Sequence, residues 1–248
     1  MREYLIKELG ELPEDYWWFY GKWVHCLEQL KKVKGLDVKS VLDIGCGGGQ
    51  WAMHLKNEFG KHVYGADLSF TSVEAAMRNG IKCAVSDADS SPFQDKSFDL
   101  VTALDVIEHL EDDIAFLRDA HRLLRPGGIA LIHVPANPNM YSYWDRIHGH
   151  YRRYSKRGLE AAINRAGFSC LNVSYSHSAL LFPALGVRLL RNAQFKGESA
   201  PEGTSEHVVL PPAINSLAKL YYRCEAKLNA AVDLPFGLSL VAIGQKQI

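Results

Sequence analysis

The chain has 248 residues, of which 47% are hydrophobic and 23% charged, so a sizeable buried core is possible and disorder throughout is excluded. Lysine and arginine together number 28, as do aspartate and glutamate, and a formal net charge of zero disfavours nucleic acid as a partner. Scattered cysteines without a CxxC pair, and no apolar run long enough to cross a bilayer, favour a reduced, cytoplasmic protein.

Short apolar runs alternate with amphipathic stretches between residues 40 and 135, which is typical of βαβ units in a parallel sheet. Strands are predicted over residues 40–45, 62–67, 82–87, 98–104 and 129–135. Helices are predicted over Gln50–Phe59, Thr71–Asn79 and Asp112–Leu124. The sequence "RPGG" predicts a turn after the last of these helices.

The second half of the chain is less regular. Residues 136–154 are aromatic, basic and loop-like, and a helix that Ser155 caps is predicted to reach Ala166 before a sixth strand at 169–176. An apolar helix-like segment (179–190), a polar loop (192–207) and a helix over Pro212–Val232 precede a last strand at 238–246.

These elements predict an α/β fold with a doubly wound, seven-stranded, mostly parallel sheet and a helical cap inserted between its last two strands. The predicted organisation is an aromatic-rich helical lead-in over 1–37, a ligand-binding α/β core over 38–176, the cap over 177–235, and the final strand of the core sheet over 236–248.

The stretch "VLDIGCGGG" (41–49) predicts a ligand site at the end of the first strand. Glycines between a strand and a helix allow tight turns and let a ligand approach the backbone closely. Dinucleotide dehydrogenases use GxGxxG, and Gln50 stands where the third glycine belongs. This departure argues against an NAD(P)-dependent oxidoreductase, which stays the enzymatic alternative.

Acidic residues end the next two strands. Asp67 is placed to accept hydrogen bonds from ribose hydroxyls, or to cap the following helix, for which Ser69 is an equal candidate. Asp87 alone would indicate only turn chemistry. Together with the glycine loop, the two acids predict an adenosine-containing ligand.

The fourth strand is followed by "LDVIEHLED" (104–112), which brings Asp105, Glu108 and His109 together. These residue types can transfer a proton or bind a divalent metal. Alternatively, they cap helices and bond backbone amides. We favour the second interpretation and assign no metal ligand.

The motifs "VLDIGCGGG", "GADLS", "SDADSSPFQDKSFDLVTALDVIEHL" and "LLRPGG", in this order, resemble those of class I S-adenosylmethionine-dependent methyltransferases. The sequence is most similar to the small-molecule branch that includes ubiquinone-biosynthesis O-methyltransferases. The resemblance covers about residues 38–175 and the final strand. It implies S-adenosyl-L-methionine as cofactor, S-adenosyl-L-homocysteine as product, and a small-molecule acceptor, with oxygen favoured over nitrogen or carbon as the methylated atom.

The resemblance also implies roles for individual residues. Asp43 and the loop residues Gly45, Cys46, Gly47 and Gly49 would bind the methionine part of the cofactor, and Asp67 would bind the ribose. The adenine would contact Leu68, Asp87 and Ala88. Asp105 and Val106 would line the methyl-transfer pocket. His109 is the first candidate for acid–base catalysis and His150 the second.

Two aromatic segments are predicted to bind the acceptor. "YWWFYGKW" (16–23) resembles the lead-in of several small-molecule methyltransferases, so Trp17 and Trp18 are candidates; the alternative is a helix that covers the sheet edge. In "HGHYRRYS" (148–155), Tyr151, Arg152 and Arg153 are candidates, with arginine as a clamp for an anionic group. A solvated loop is the alternative there.

The cap has two interpretations. It could close over the acceptor as a lid, or its apolar segment 179–190 could dock on a membrane or a partner subunit. A non-catalytic binding subunit with a methyltransferase fold is the non-enzymatic alternative. Such a subunit would typically have lost Asp43 or a loop glycine, and both are present here.

Overall fold

The structure is a computed structural model that describes residues 12, 13, 15–60, 62–88, 90–186 and 208–247. Seven strands form one sheet in the order β3-β2-β1-β4-β5-β7-β6. They are β1 (Ser40–Ile44), β2 (His62–Asp67), β3 (Lys82–Val85), β4 (Phe98–Leu104), β5 (Leu124–Pro135), β6 (Ser169–Ser176) and β7 (Ser239–Gln245). Only β7 runs antiparallel to its neighbours, so the predicted mostly parallel sheet is confirmed.

The described helices alternate with these strands. They are α1 (Trp17–Lys31), α2 (Gln50–Phe59), α3 (Phe70–Arg78), α4 (Asp113–Leu123), α5 (Tyr143–His148), α6 (Lys156–Arg165) and α7 (Pro212–Ala231), and residues 181–186 are also helical. Side-chain oxygens of Ser69 and Ser155 accept hydrogen bonds from the first turns of α3 and α6, as expected for helix caps. The predicted polar loop 192–207 and residues 187–190 of the predicted apolar segment lie outside the described residues.

Two local predictions were wrong. The "RPGG" sequence is not a turn between α4 and the next strand, because β5 already starts at Leu124. Strand β5 carries a bulge between the residues that pair with Phe98 and with Leu100 of β4. Gly127 lies in this bulge with a φ of +80°, which glycine allows. Residues 136–154 contain α5 rather than loop alone. A capping box between Ser142 and Asp145 starts this helix despite its aromatic and basic composition.

Helices cover both faces of the sheet, which explains why its central strands are apolar almost throughout. On one face the core includes Phe116 and Leu117 of α4 and Leu159 of α6. On the other face it includes Leu30 of α1 and Leu55 of α2. The fold is therefore doubly wound, as predicted.

The lead-in and the cap are neighbours although they lie at opposite ends of the chain. Helix α7 packs along α1, where Tyr222 is buried beside Val24, and it also contacts β6. Among the described helices, none is both long and apolar enough to cross a membrane. Helices α1 and α7 thus form a two-helix layer beside β5, β7 and β6.

Gly65 of β2 lies in a tightly packed part of the sheet, next to Cys46 of the glycine loop. A Cβ there would lie 2.6 Å from the sulfur of Cys83 and 2.7 Å from that of Cys46. Overpacking of this kind costs about 1–3 kcal/mol. We expect Gly65→Ala to lower the free energy of unfolding by this amount in urea denaturation, whereas Gly186→Ala, which points into open space, serves as the control. Equal stability of the two variants would contradict the expectation.

Candidate active site

The glycine loop after β1 is hydrogen-bonded to the end of β2. The backbone N–H of Gly47 donates to Oδ2 of Asp67 at 2.9 Å, and Oδ1 of Asp67 accepts from the backbone N–H of Ser69 at 2.9 Å. Ser69, not Asp67, caps α3. The Asp67 carboxylate therefore joins the loop to the strand end and keeps lone pairs for further donors.

Glycine is required at several loop positions for reasons of space and conformation. Gly45, Gly47 and Gly49 have φ of +73°, +51° and +85°, in the left-handed region that favours glycine. A Cβ on Gly45 would lie 2.4 Å from Cγ2 of Val106, which follows β4. The loop thus approaches the end of β4 closely, and Gly45 lies against Val106.

Two predicted cofactor residues lie beneath the loop rather than on its surface. Asp43 is buried, with Oδ1 accepting a hydrogen bond from the hydroxyl of Thr102 at 2.8 Å. Burial raises the pKa of Asp43 to about 8, although the Thr102 hydrogen bond opposes this shift. The side chain of Cys46 is buried and points to Cys83, with 3.9 Å between the sulfur atoms, so only its backbone faces the loop side.

Three further predicted residues form an open rim beside Asp67. Leu68 is 70% exposed, so its side chain is accessible to a ligand. The backbone N–H of Ser86 donates to the carbonyl of Asp67, and this bond holds the end of β3, with Asp87 and Ala88 after it, near β2. Asp87 is exposed and Ala88 is half-buried.

Asp105 is held by two basic side chains that sequence analysis missed. Its Oδ2 lies 2.6 Å from Nζ of Lys22 on α1, and its Oδ1 lies 2.7 Å from Nδ1 of His133 on β5. Burial opposes ionisation, but these charges and hydrogen bonds outweigh it and hold the pKa of Asp105 well below its usual range. Asp105 also has a φ of +56°, a strained conformation for aspartate.

Glu108, His109 and His150 form a second cluster, in which His150 takes the place predicted for Asp105. Their potential ligand atoms all lie within 4.8 Å of one another, an arrangement that could hold a divalent cation. Both oxygens of Glu108 are buried, and neither has a hydrogen-bond partner in another described residue. Burial, and then the charge of Asp105, raise the pKa of Glu108 well above its usual value.

The two candidate catalytic histidines face each other edge to face, with ring centroids 4.6 Å apart. Nδ1 of His150 lies 3.0 Å from the carboxylate of Asp145, which orients this ring. Burial lowers the pKa of His109 to about 4, and the charge of His150 adds to this effect. His109 is therefore neutral at pH 7 and able to accept a proton.

The predicted anion clamp is engaged in internal contacts. Nε of Arg153 donates to Oδ1 of Asp145 at 2.7 Å, and Arg152 donates to backbone carbonyls of residues 110 and 111 and lies 3.2 Å from Asp113. These contacts hold both guanidinium groups against the loop that follows α5. Tyr151 is 57% exposed on the outside of this loop.

The aromatic lead-in divides its contacts between the cap and the site. Trp17 stacks on Tyr222 of α7, and its indole N–H donates to the carbonyl of Val208 at 2.8 Å. Trp17 therefore links α1 to α7 and to the segment before it. Trp18 packs on His177, and their ring centroids are 4.4 Å apart. The ring centroids of His177 and His133 are 6.1 Å apart. Trp18 is the closer of the two to Asp105 in this chain of contacts.

Comparison with known proteins identifies the family. A family model described as a methyltransferase domain matches residues 20–173, which is more than half of the chain. The chain belongs to this methyltransferase-domain family. The match begins within α1 and ends within β6, so it includes every predicted cofactor residue.

Relatives of this methyltransferase-domain protein act on different atoms. Phosphoethanolamine N-methyltransferase of Triticum aestivum is 37% identical over 106 residues, which are 39% of this chain and 21% of the relative. Ubiquinone biosynthesis O-methyltransferase of Vibrio parahaemolyticus is 30% identical over 159 residues, 58% of this chain and 67% of the relative. The chain therefore spans about a fifth of the first relative and two thirds of the second.

A solved structure supports the fold. Phosphoethanolamine N-methyltransferase 2 of Haemonchus contortus, in complex with S-adenosyl-L-methionine, has a TM-score of 0.58 and 22% sequence identity, and covers 90% of this chain and 52% of its own. At this identity the similarity shows the shared fold of the methyltransferase domain.

The raised pKa of Asp43 predicts a measurable pH dependence of stability. Because the folded pKa of about 8 exceeds the ordinary value of 3.8, the free energy of unfolding should fall as pH rises from about 4 to about 8, by at most about 1.4 kcal/mol per pH unit. Asp43→Asn keeps an acceptor for Thr102 and removes this contribution. Urea denaturation across this pH range should give a shallower slope for the variant, with Asp87→Asn as the exposed control; parallel slopes for variant and wild type would contradict the assignment.

Proposed function

We propose that this protein is an S-adenosyl-L-methionine-dependent methyltransferase that methylates a small molecule, with oxygen as the favoured acceptor atom. The observation that carries the proposal is the Asp67 carboxylate, which joins a left-handed glycine loop to the strand end where an adenosine ligand is expected. Membership of the methyltransferase-domain family supports this activity rather than NAD(P)-dependent oxidation.

The residues present fit the cofactor. The bare backbone of Gly45 and Gly47 would lie against its methionine part, the Asp67 carboxylate would accept from ribose hydroxyls, and the exposed Leu68 would cover one adenine face. Asp87 and Ala88 would border the adenine amine. Because its side chain is buried, Asp43 would support the glycine loop rather than contact the cofactor directly.

The cofactor supplies a methyl group that is already activated, so the protein mainly has to align the acceptor and remove its proton. His109 is the group we assign to proton removal. Its imidazole is neutral at pH 7, half-buried, and close to Gly149 and His150 on the loop after β5. A hydroxyl acceptor must lose its proton during methylation, and a neutral imidazole has a lone pair that can take it. Similarity to a ubiquinone biosynthesis O-methyltransferase supports oxygen as the acceptor atom.

Binding of the cofactor is the first test. We expect isothermal titration calorimetry to show binding of S-adenosyl-L-methionine, and Asp67→Ala to weaken it by about tenfold or more, because a charge-assisted hydrogen bond to ribose and the anchor of the loop are both lost. Asp37→Ala removes an exposed carboxylate elsewhere and should leave affinity unchanged. Binding of NAD(P) in place of the sulfonium cofactor would contradict the proposal.

Turnover is the second test. With a radiolabelled methyl donor and a panel of phenols, catechols and amines, we expect His109→Gln to lower kcat by about 100-fold or more without changing cofactor affinity. Since the deprotonated imidazole is the active form, the wild-type rate should rise with pH through about 4 and then level off.

The matched control for this test is His121→Gln, which alters a histidine packed against Phe168 in the last turn of α4. Methylation of amines alone would contradict the choice of oxygen. Cofactor binding without turnover of any acceptor would favour the non-catalytic binding subunit.

A further inference from the structure

The outward face of α7 carries a continuous apolar stripe. Its exposed apolar residues follow one another at spacings of 3, 3, 1, 7 and 4, all close to whole helical turns except the single step of one, so they share one side. Leu217 is 65% exposed and Leu228 is 53% exposed. The exposed apolar residues of the helix are Ile214, Leu217, Leu220, Tyr221 and Leu228, and Val232 follows its last turn.

The opposite side of α7 is already used by the fold. Asn215, Tyr222, Glu225, Ala226 and Asn229 are buried there against α1, β6 and the segment after β6. The inner face of the helix therefore packs against the rest of the protein and fixes the orientation of the helix. The outer face exposes apolar side chains that this packing does not use.

The apolar surface continues beyond the helix. Tyr221 and Leu228 line a cavity of about 430 Å³, with Phe182 and Phe236 on its other side. The rings of Phe182 and Phe236 pack 5.6 Å apart, and Phe182 is 63% exposed. One apolar surface thus extends from α7 across the cavity to both phenylalanines.

Basic side chains border this surface along one side. Arg223 follows Leu220 by three residues and Lys227 follows Cys224 by three, so each lies one turn from the apolar stripe. Both are exposed, whereas the only acidic residue of α7, Glu225, is buried. An apolar stripe bordered by cations is the pattern of helices that lie in the plane of a lipid surface.

We propose that the outer face of α7, with Phe182 and Phe236, docks on an anionic lipid bilayer. The apolar stripe would insert at the boundary between headgroups and acyl chains, while Arg223 and Lys227 contact the anionic headgroups. Charge favours a lipid surface over a second copy of the chain, because the exposed charges of α7 are cations and the exposed acid that follows the stripe, Asp233, is paired with Lys156. The proposal does not depend on the methyltransferase activity.

Vesicle co-sedimentation of the full chain tests this surface. We expect the protein to partition at least about tenfold more strongly onto vesicles of phosphatidylcholine with phosphatidylglycerol than onto phosphatidylcholine alone, because each cation near an anionic surface adds to the attraction. Raising the NaCl concentration should reduce the difference, since the Debye length shortens.

Variants separate the two contributions. Leu217→Ser with Leu228→Ser should abolish sedimentation with both kinds of vesicle, and Arg223→Glu with Lys227→Glu should abolish only the preference for anionic lipid. Matched controls are Leu171→Ser, which changes an exposed leucine of β6, and Lys82→Glu, which changes an exposed lysine of β3. Circular dichroism and thermal unfolding confirm that each variant is folded.

Two results would overturn the proposal. One is an absence of partitioning onto anionic vesicles by the folded wild-type protein. The other is a dimer in light scattering that the Leu217→Ser, Leu228→Ser variant converts to monomer, because the face would then be an interface between copies of the chain.

Discussion

The carboxylate of Asp105 joins three parts of the protein at the carboxyl edge of the sheet. One oxygen is held by Lys22 of α1, the other by His133 of β5, and the residue itself ends β4 in a strained left-handed conformation. Removing either partner would leave a partly buried charge without compensation, which costs more than the loss of an exposed ion pair. Because α7 packs along α1, this carboxylate is one of the contacts that link the two-helix layer to the sheet.

Much of the fold was predictable because its strands are short apolar runs bounded by turn residues. Strands 62–67, 98–104 and 169–176 agree with the structure at both ends. The errors have local causes that composition does not show. A bulge absorbs the "RPGG" sequence into β5, and a capping box starts α5 within a segment rich in aromatic and basic residues. The pairing of β7 between β5 and β6 follows from long-range contacts, which residue patterns do not specify.

The candidate site was predictable where it is built from local sequence, as in the glycine loop with Asp67. It was not predictable where partners are far apart along the chain: Lys22 meets Asp105 across 83 residues, and His133 meets it across 28. A histidine inside the apolar run "IALIHVP" is the one pattern that could have indicated His133. The contact between Arg153 and Asp145, eight residues earlier, was likewise not indicated by the residue pattern.

The charges at this edge are arranged to leave little bare negative charge. Burial keeps Asp43 protonated over most of the neutral range and raises the pKa of Glu108, while Lys22 compensates the ionised Asp105. For the proposed reaction this balance matters, because positive charge on a sulfonium decreases as its methyl group leaves. A bare carboxylate beside it would stabilise the reactant more than the transition state. A protonated Asp43 and a compensated Asp105 would avoid that penalty, while Asp67 at the ribose end supplies lone pairs that position the ligand.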